Sequence, residues 1–369
     1  MEIYMYSENE LVAIAKRENN NKRNYLVVNT YQGKHIPVSP TKAIELFNEL
    51  AKKVKNAYQN EKILFVGFAE TATAIGAQVA ITAGGKYIQT TRECIDGVEY
   101  IVFSEAHNHA IEQKLIKSEI DRCISEIDRI VFVEDEVTTG NTILNIVDII
   151  ESCYDLNIKF AVASLLNGMN RECLEIYNER NIELHYVVKS SHEKYPKIAE
   201  RYVNNGKYHK PDFEKKINLS VINASDYINT RRLCESRDYE CACESLWNNI
   251  KKKLLTNENS DILVVGTEEF MYPALYIGRK LEESGCIVRS HSTTRSPILV
   301  SVDEGYPLNE RFELRSLYDK DRTTFIYNIK RYDKVIIVTD AHGCEENGIC
   351  SLVNALSLYN ADITMVRWC

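Results

Sequence analysis

The chain has 369 residues, 44% of them hydrophobic and 27% charged, with a formal net charge of −8 at pH 7. That length suits two ordinary domains rather than one, with the composition of a soluble globular protein. The acidic excess argues against a general nucleic-acid binder, which needs basic groups against phosphate, and no apolar run approaches the ~20 residues that span a bilayer.

The opening MEIYMYSENE has no basic, apolar and small-residue succession of a secretory signal, so the expected compartment is the cytoplasm. The eleven cysteines are scattered, and reduced thiols are expected there. Cys234, Cys241 and Cys243 lack the paired spacing of a zinc site and read better as small core-facing residues on a helix; no all-protein metal site is expected.

In chain order, Ile63–Val66 reads as a buried strand followed by a helix over Ala74–Ala83. Ile130–Val133 is a second strand, with a helix over Ile143–Cys153. Phe160–Ser164, Ile262–Val265 and Val335–Val338 complete the clearest apolar runs. Continuous apolar strands separated by helices predict parallel sheets in an α/β fold. The polar stretch Lys194–Lys216, with Asn204-Asn205-Gly206 and Pro211, carries breaker signals, and one domain boundary is expected near residue 215, giving domains 1–215 and 216–369.

The two halves resemble each other. ILFVGFAE at 63–70 matches ILVVGTEE at 262–269 in constant register (262 − 63 = 199), TTR at 90–92 matches TTR at 293–295, and IVFVED at 130–135 matches VIIVTD at 335–340. Three matches in one order favour duplication of a fold unit over the patterning that any two Rossmann-like domains share.

The most informative segment is Ile130–Thr142, IVFVEDEVTTGNT. An apolar strand ends in Glu134 and Asp135, and a loop of small residues then leads into a helix starting near Thr142. Ligands of open α/β sheets bind at the carboxyl ends of strands. In Thr138, Thr139, Gly140, Asn141 and Thr142, backbone N–H groups and hydroxyls converge on a place suited to an anion, and Gly140 permits tight curvature. The adjacent carboxylates would repel a bare phosphate, yet they accept hydrogen bonds from vicinal hydroxyls. A ribose 5-phosphate meets both demands. The Gly-Lys-Ser/Thr ending of a Walker loop is absent.

This segment resembles the motif by which type I phosphoribosyltransferases bind 5-phosphoribosyl-1-pyrophosphate (PRPP). With QGKHIPV (32–38), VGFAETATAIG (66–76), TTRE (90–93) and FSEAHNHA (103–110), and with Thr294-Arg295-Ser296-Pro297 after GTEEFMYP (266–273), most of the chain resembles an orotate-phosphoribosyltransferase-like family found near tellurium-resistance genes, with a C-terminal domain named for its Thr-Arg-Ser-Pro (TRSP) motif. The resemblance implies an N-terminal type I phosphoribosyltransferase fold and a degenerate C-terminal copy. It implies Mg²⁺ bound with PRPP, transfer of the phosphoribosyl group to a small base-like acceptor, and pyrophosphate release. The runner-up is a PRPP-sensing regulator without turnover. Dimers are the habit of the family, which leaves a homodimer open.

By the same resemblance, Glu134 and Asp135 hold the ribose hydroxyls and residues 138–142 the 5′-phosphate; Glu134 stands where Asp is commoner. Ala69, Glu70 and Thr71 fall in the pyrophosphate loop. Glu70 would act through Mg²⁺, contact the acceptor, or cap a helix. Arg92 is a candidate pyrophosphate clamp. Glu105, His107 and His109 lie where such enzymes carry a loop over the reacting centre, and they suit proton transfer, metal contact or a solvated loop. Lys34 and His35 are candidates for the acceptor pocket. In the second copy Thr339 replaces Glu134 beside Asp340, and the loop carries two glutamates, so PRPP binding is not expected there. Glu268, Glu269, Tyr272, Thr294, Arg295 and Ser296 are candidates for a separate ligand site, the alternative being a structural half.

Overall fold

The computed structural model describes residues 5–18, 23–104, 112–214, 219–342 and 346–369. The chain forms two compact units that interleave along the sequence. One is built mainly from Ile44–Ser190 with Ile228–Ala242, the other from Ser7–Ala43, Ser191–Tyr227 and Cys243–Cys369. They do not follow a single cut near residue 215. The polar stretch there holds a helix (Tyr195–Arg201) and a strand (Lys207–His209) that pairs with Glu310–Arg315 inside the second unit.

The first unit contains strand β1 (Ile63–Gly67), helix α1 (Thr73–Ala83), β2 (Lys86–Gln89), β3 (Arg129–Val137), α2 (Asn141–Cys153), β4 (Lys159–Asn167), α3 (Arg171–Glu179) and β5 (Glu183–Lys189). Its strands lie in the order β2-β1-β3-β4-β5, all parallel, and the short strand Cys234–Glu235 adds antiparallel to β2. The central residues Ile130–Val133 are fully buried, as a strand covered on both faces requires. Helix α1 presses close to the sheet: a Cβ on Gly76 would lie 2.8 Å from the Cα of Gly67. A separate antiparallel hairpin pairs Tyr100–Phe103 with Gln113–Ile116.

The second unit has β6 (Ser220–Ala224), β7 (Asp261–Gly266), α4 (Tyr272–Glu283), β8 (Ile287–Ser292), β9 (Lys334–Thr339), α5 (Glu346–Ser357) and β10 (Ile363–Trp368). Its parallel sheet runs β8-β7-β9-β10-β6. The first four strands repeat the order β2-β1-β3-β4, and only the fifth differs. It comes from chain that precedes the repeat, whereas β5 follows it. Local contacts repeat as well. Thr90 N donates to Gly67 O (2.9 Å) and Thr293 N to Gly266 O (3.0 Å). Ala69 N donates to Thr90 Oγ1 (2.7 Å), and Glu268 N to Thr293 Oγ1 (2.9 Å). The sequence register of 199 carries the start of α1 onto the start of α4 (272 − 73 = 199).

A core of Leu263, Val265, Phe312, Val335, Ile337, Leu352 and Met365 covers one face of this sheet. Another joins Ala15, Leu26 and Val28, from the hairpin Val12–Lys16/Tyr25–Asn29, to Ile298, Val300, Leu308, Phe325 and Tyr327. That cluster explains why residues 7–43 belong to the second unit. Among the described residues, no helix is long and apolar enough to cross a membrane.

Candidate active site

The carboxyl end of the first sheet gathers most of the candidate residues. β1 stops at Gly67, opposite Val133, while β3 runs on to Val137 beside β4. Glu134, Asp135 and Glu136 therefore extend past the end of one neighbour, all three half-buried, while Glu134 and Glu136 stay paired to Ser164 and Leu166 of the other. The sequence placed the strand's end at Glu134 and Asp135; it continues two residues further, to Val137. Burial first, then the charges of Asp135 and Glu136, push the Glu134 carboxyl well above its usual range, while Arg92 pulls the other way. Arg92, just beyond β2, thus lies within electrostatic reach of Glu134.

The loop then turns through Gly140, at φ 74° and ψ 5°, which is the N-cap of α2. This left-handed conformation suits glycine. Gly140 O accepts from Ile143 N (2.9 Å) and Leu144 N (3.0 Å). Thr139 and Asn141 are exposed, and Thr138 and Thr142 half-buried. The first N–H groups of α2 have no partner within the helix, which makes this terminus favourable to an anion.

The other loop, after β1, is held from below. Its Ala69 and Glu70 are buried and Thr71 is half-buried, and the Ala69–Glu70 peptide is cis. Thr90 Oγ1 accepts from Ala69 N and donates to Gln113 Oε1 (2.6 Å), and Gln113 Nε2 donates to Ala69 O. Gln113 also pairs with Phe103 across the hairpin, and Ser104 N donates to Asn145 Oδ1 of α2 (3.2 Å). Both ends of the Phe103–Gln113 connection are therefore fixed beside the site. Glu105, His107 and His109 lie outside the described residues.

The same end of the second sheet is built differently. Glu268 and Glu269 are buried, at 2% and 1% exposure, and Arg295 binds both: Nε to Glu268 Oε2 at 2.7 Å and Nη2 to Glu269 Oε1 at 3.3 Å. Arg322 adds a 2.9 Å ion pair to Glu268 Oε2, and Ser316 Oγ donates to Oε1. Asp340 accepts from the hydroxyls of Tyr318 and Tyr227, each at 2.7 Å. Thr339, in the place of Glu134, bonds Thr267 Oγ1 at 2.9 Å. The carboxylates at this end thus have partners supplied by the chain itself.

A phosphoribosyl transferase family model matches residues 11–192, and a model of the TRSP domain that lies C-terminal to it matches residues 232–356. The chain belongs to this phosphoribosyltransferase family. Similar solved structures include adenine phosphoribosyltransferase of Giardia lamblia with 9-deazaadenine (14% identity, 50% of this chain and 96% of that one, TM-score 0.35). The enzyme of Rhodothermus marinus is another (12%, 49% and 96%, 0.35), as is that of Trypanosoma brucei with AMP, pyrophosphate and ribose-5-phosphate (12%, 48% and 76%, 0.34). Among curated proteins none matches.

Within the TRSP motif of this phosphoribosyltransferase, only Arg295 reaches the carboxylates. Thr294 exchanges backbone hydrogen bonds with Phe325 (2.8 and 2.7 Å), and Ser296 O accepts from the Tyr327 hydroxyl (2.8 Å). Tyr272 is buried at the first position of α4. Lys34, fully buried, donates to Glu268 O (2.7 Å) and Thr293 O (2.9 Å), so it serves the second unit's strand ends. Of the three clustered cysteines only Cys243 is buried; Cys241 is exposed and Cys234 sits in the short strand beside β2, contrary to the expectation of a core-facing set. Among the described residues no group of three or more His, Cys, Asp or Glu is disposed to hold a metal ion.

Sequence reasoning missed Arg322, Ser316, Tyr318 and Tyr227 in the second unit, and Tyr177 and Met169 in the first. None stands in a motif. Each reaches its place from another element, so local spacing carried no signal for it.

Proposed function

We propose that the chain transfers the 5-phosphoribosyl group from Mg-PRPP to a base-like acceptor and releases pyrophosphate. The observation that carries this reading is the continuity of β3 into α2. Glu134 and Asp135 extend beyond Gly67, and the chain passes directly through Thr138–Thr142 to a helix N-terminus. On this reading the two carboxylates accept hydrogen bonds from the ribose 2′ and 3′ hydroxyls, and the loop donors hold the 5′-phosphate. Arg92 faces the pyrophosphate with a planar set of donors. The acceptor's nucleophilic atom bonds to C1′ as the bond to pyrophosphate breaks, through an oxocarbenium-like transition state. The chain contributes orientation and electrostatics, and Glu105, His107 and His109 are the candidates for moving the proton.

Mg²⁺ fits the donor set: it takes oxygen ligands, commonly one or two carboxylates with substrate phosphates, and Glu70, Glu134 and Asp135 are the carboxylates near these loops. When bound it neutralises charge on the pyrophosphate. Transfer is assigned to the half expected as residues 1–215. The repeated strand order and hydrogen bonds support reading the TRSP half, 216–369, as a degenerate copy, and the paired carboxylates there favour its structural role over a second ligand site.

The test is calorimetric titration of PRPP with Mg²⁺ into the wild type and a Glu134→Ala/Asp135→Ala variant. Binding to the wild type alone supports the reading, and pyrophosphate release on screening heterocyclic acceptors then separates turnover from sensing. No binding to the wild type overturns it.

A further inference from the structure

The phosphate loop of the first unit rests on a floor that the proposed chemistry does not itself require. An ideal Cβ on Gly140 would lie 2.2 Å from the Tyr177 hydroxyl oxygen, 2.6 Å from its Cζ and 2.7 Å from Met169 Cε. Two side chains therefore press against the underside of one loop residue. Tyr177, at 1% exposure, comes from α3, and its hydroxyl donates to Gly140 O at 2.8 Å. Met169 stands in the turn between β4 and α3, and that turn is itself pinned. The Lys189 ammonium, at the end of β5, donates to Asn167 O and Oδ1 (3.2 Å each) and to Met169 O, and Asn170 caps α3 through Cys173 N (2.8 Å).

Packing explains the ring but not the hydroxyl. Gly140 O already accepts two N–H groups of α2, so the backbone needs no third donor to be satisfied. A phenylalanine would fill the same volume without bringing a polar atom into the interior, where it costs free energy unless bonded. What the hydroxyl adds is direction: with the two helix donors it fixes the plane of the Gly140 peptide, and with it the aim of the N–H groups on either side. The Glu134 charge also acts on Tyr177, adding to burial in raising the phenol. The residue therefore lies near the carboxylate end of the site as well as below the loop.

We propose that Tyr177, with Met169 beside it, is the positioning residue of the phosphoribosyl loop, holding Gly140 so that the N–H groups of residues 138–142 converge on the 5′-phosphate. It touches no reacting atom, and the proposal rests on the reading of that loop as a phosphate site. Its role is specific to one subsite: the loop after Gly67 has other supports, Thr90 and Gln113.

The test compares wild type and Tyr177→Phe, with ribose 5-phosphate and pyrophosphate as separate calorimetric probes, amide hydrogen exchange over residues 138–144 in the free protein, and Tm as a control. Loss of one neutral hydrogen bond is expected to weaken ribose 5-phosphate about tenfold. Pyrophosphate affinity stays within about twofold, and the loop amides exchange faster. Met169→Ala is expected to shift the same probe in the same direction. Equal weakening of both probes, or unchanged affinity together with unchanged exchange, overturns the proposal. Faster loop exchange in a protein whose wild type binds neither probe supports the positioning and overturns the phosphoribosyl reading, so the two failures are distinguishable.

Discussion

Two parallel sheets in this chain share four strands of their order, yet the carboxylates at their carboxyl ends have different surroundings. In the first, Glu134 and Asp135 are half-buried at the start of a loop of hydroxyls and glycine, and Glu134 is held in an environment that disfavours its charge. In the second, Glu268 and Glu269 are deeply buried and matched by Arg295 and Arg322, and Asp340 by two tyrosine hydroxyls. The difference lies in the partners rather than in the backbone. At the second end the carboxylates are matched by arginine and tyrosine side chains, whereas at the first Glu134 is crowded by the charges of Asp135 and Glu136. Binding sites characteristically carry such locally unfavourable arrangements, sustained by the rest of the fold.

The sharpest way to break the comparison is to remove the carboxylates from each end in turn. Glu134→Ala/Asp135→Ala removes two charge-assisted acceptors and is expected to weaken Mg-PRPP by a factor on the order of 10²–10⁴. Asp340→Ala leaves that affinity within about twofold; comparable losses from both, measured by calorimetry, would dissolve the distinction. Next in size is Arg295→Ala. It leaves Glu268 and Glu269 short of a counter-ion in the interior and is expected to cost about 3–5 kcal/mol in denaturant unfolding, with Mg-PRPP affinity retained. Weakened PRPP binding with unchanged stability would instead make Arg295 part of a ligand site.

The third effect is smaller and of opposite sign. Glu134 titrates above the 4.5 of an ordinary glutamate, so ionising it in the folded chain is unfavourable. Stability present below that pH is lost as pH rises toward the raised value. Glu134→Gln cannot ionise, so its Tm should exceed that of the wild type by a few degrees at about pH 8 and match it near pH 4. No gain at the higher pH would show that this carboxylate is at ease in the free protein. The smallest concerns His291, buried in the second unit between Gly33 O and Tyr327 O and lowered from 6.5 to about 4, chiefly by burial. Its contribution is present above pH 6.5 and lost as pH falls through about 4. His291→Gln should flatten the acid side of the stability profile, read by thermal melts.

Much of this was legible in the sequence, and for a physical reason. Strands buried on both faces must be apolar throughout, so Ile63–Val66, Ile130–Val133, Ile262–Val265 and Val335–Val338 all fall inside observed strands, and the helices after Gly67 and Gly140 begin within two residues of expectation. The turn into the helix at Gly140 was legible because glycine at positive φ and small hydroxyl residues leave a local signature. The floor under that turn was not, because Tyr177 lies 37 positions from Gly140 and looks like any tyrosine on an amphipathic helix. Arg322, 54 positions from Glu268, is the same case. The place of residues 7–43 was hidden for a related reason: short apolar strands such as Tyr25–Asn29 state that they are covered, but not by what.

The bond from Lys16 N to the Tyr306 hydroxyl joins residues 290 positions apart, and it dictates a schedule for synthesis. A ribosome delivering roughly 5–20 residues per second exposes the hairpin Val12–Lys16/Tyr25–Asn29 for roughly 15–60 s before Tyr306 emerges. During that interval Leu26 and Val28 have none of the partners from 298–327 that later cover them. These strands, made well before their partners, are thus among the last to be packed. A nascent chain released after its phosphoribosyltransferase half carries an apolar hairpin that chaperones must shield, and half-length fragments of this protein are expected to aggregate where the full chain folds.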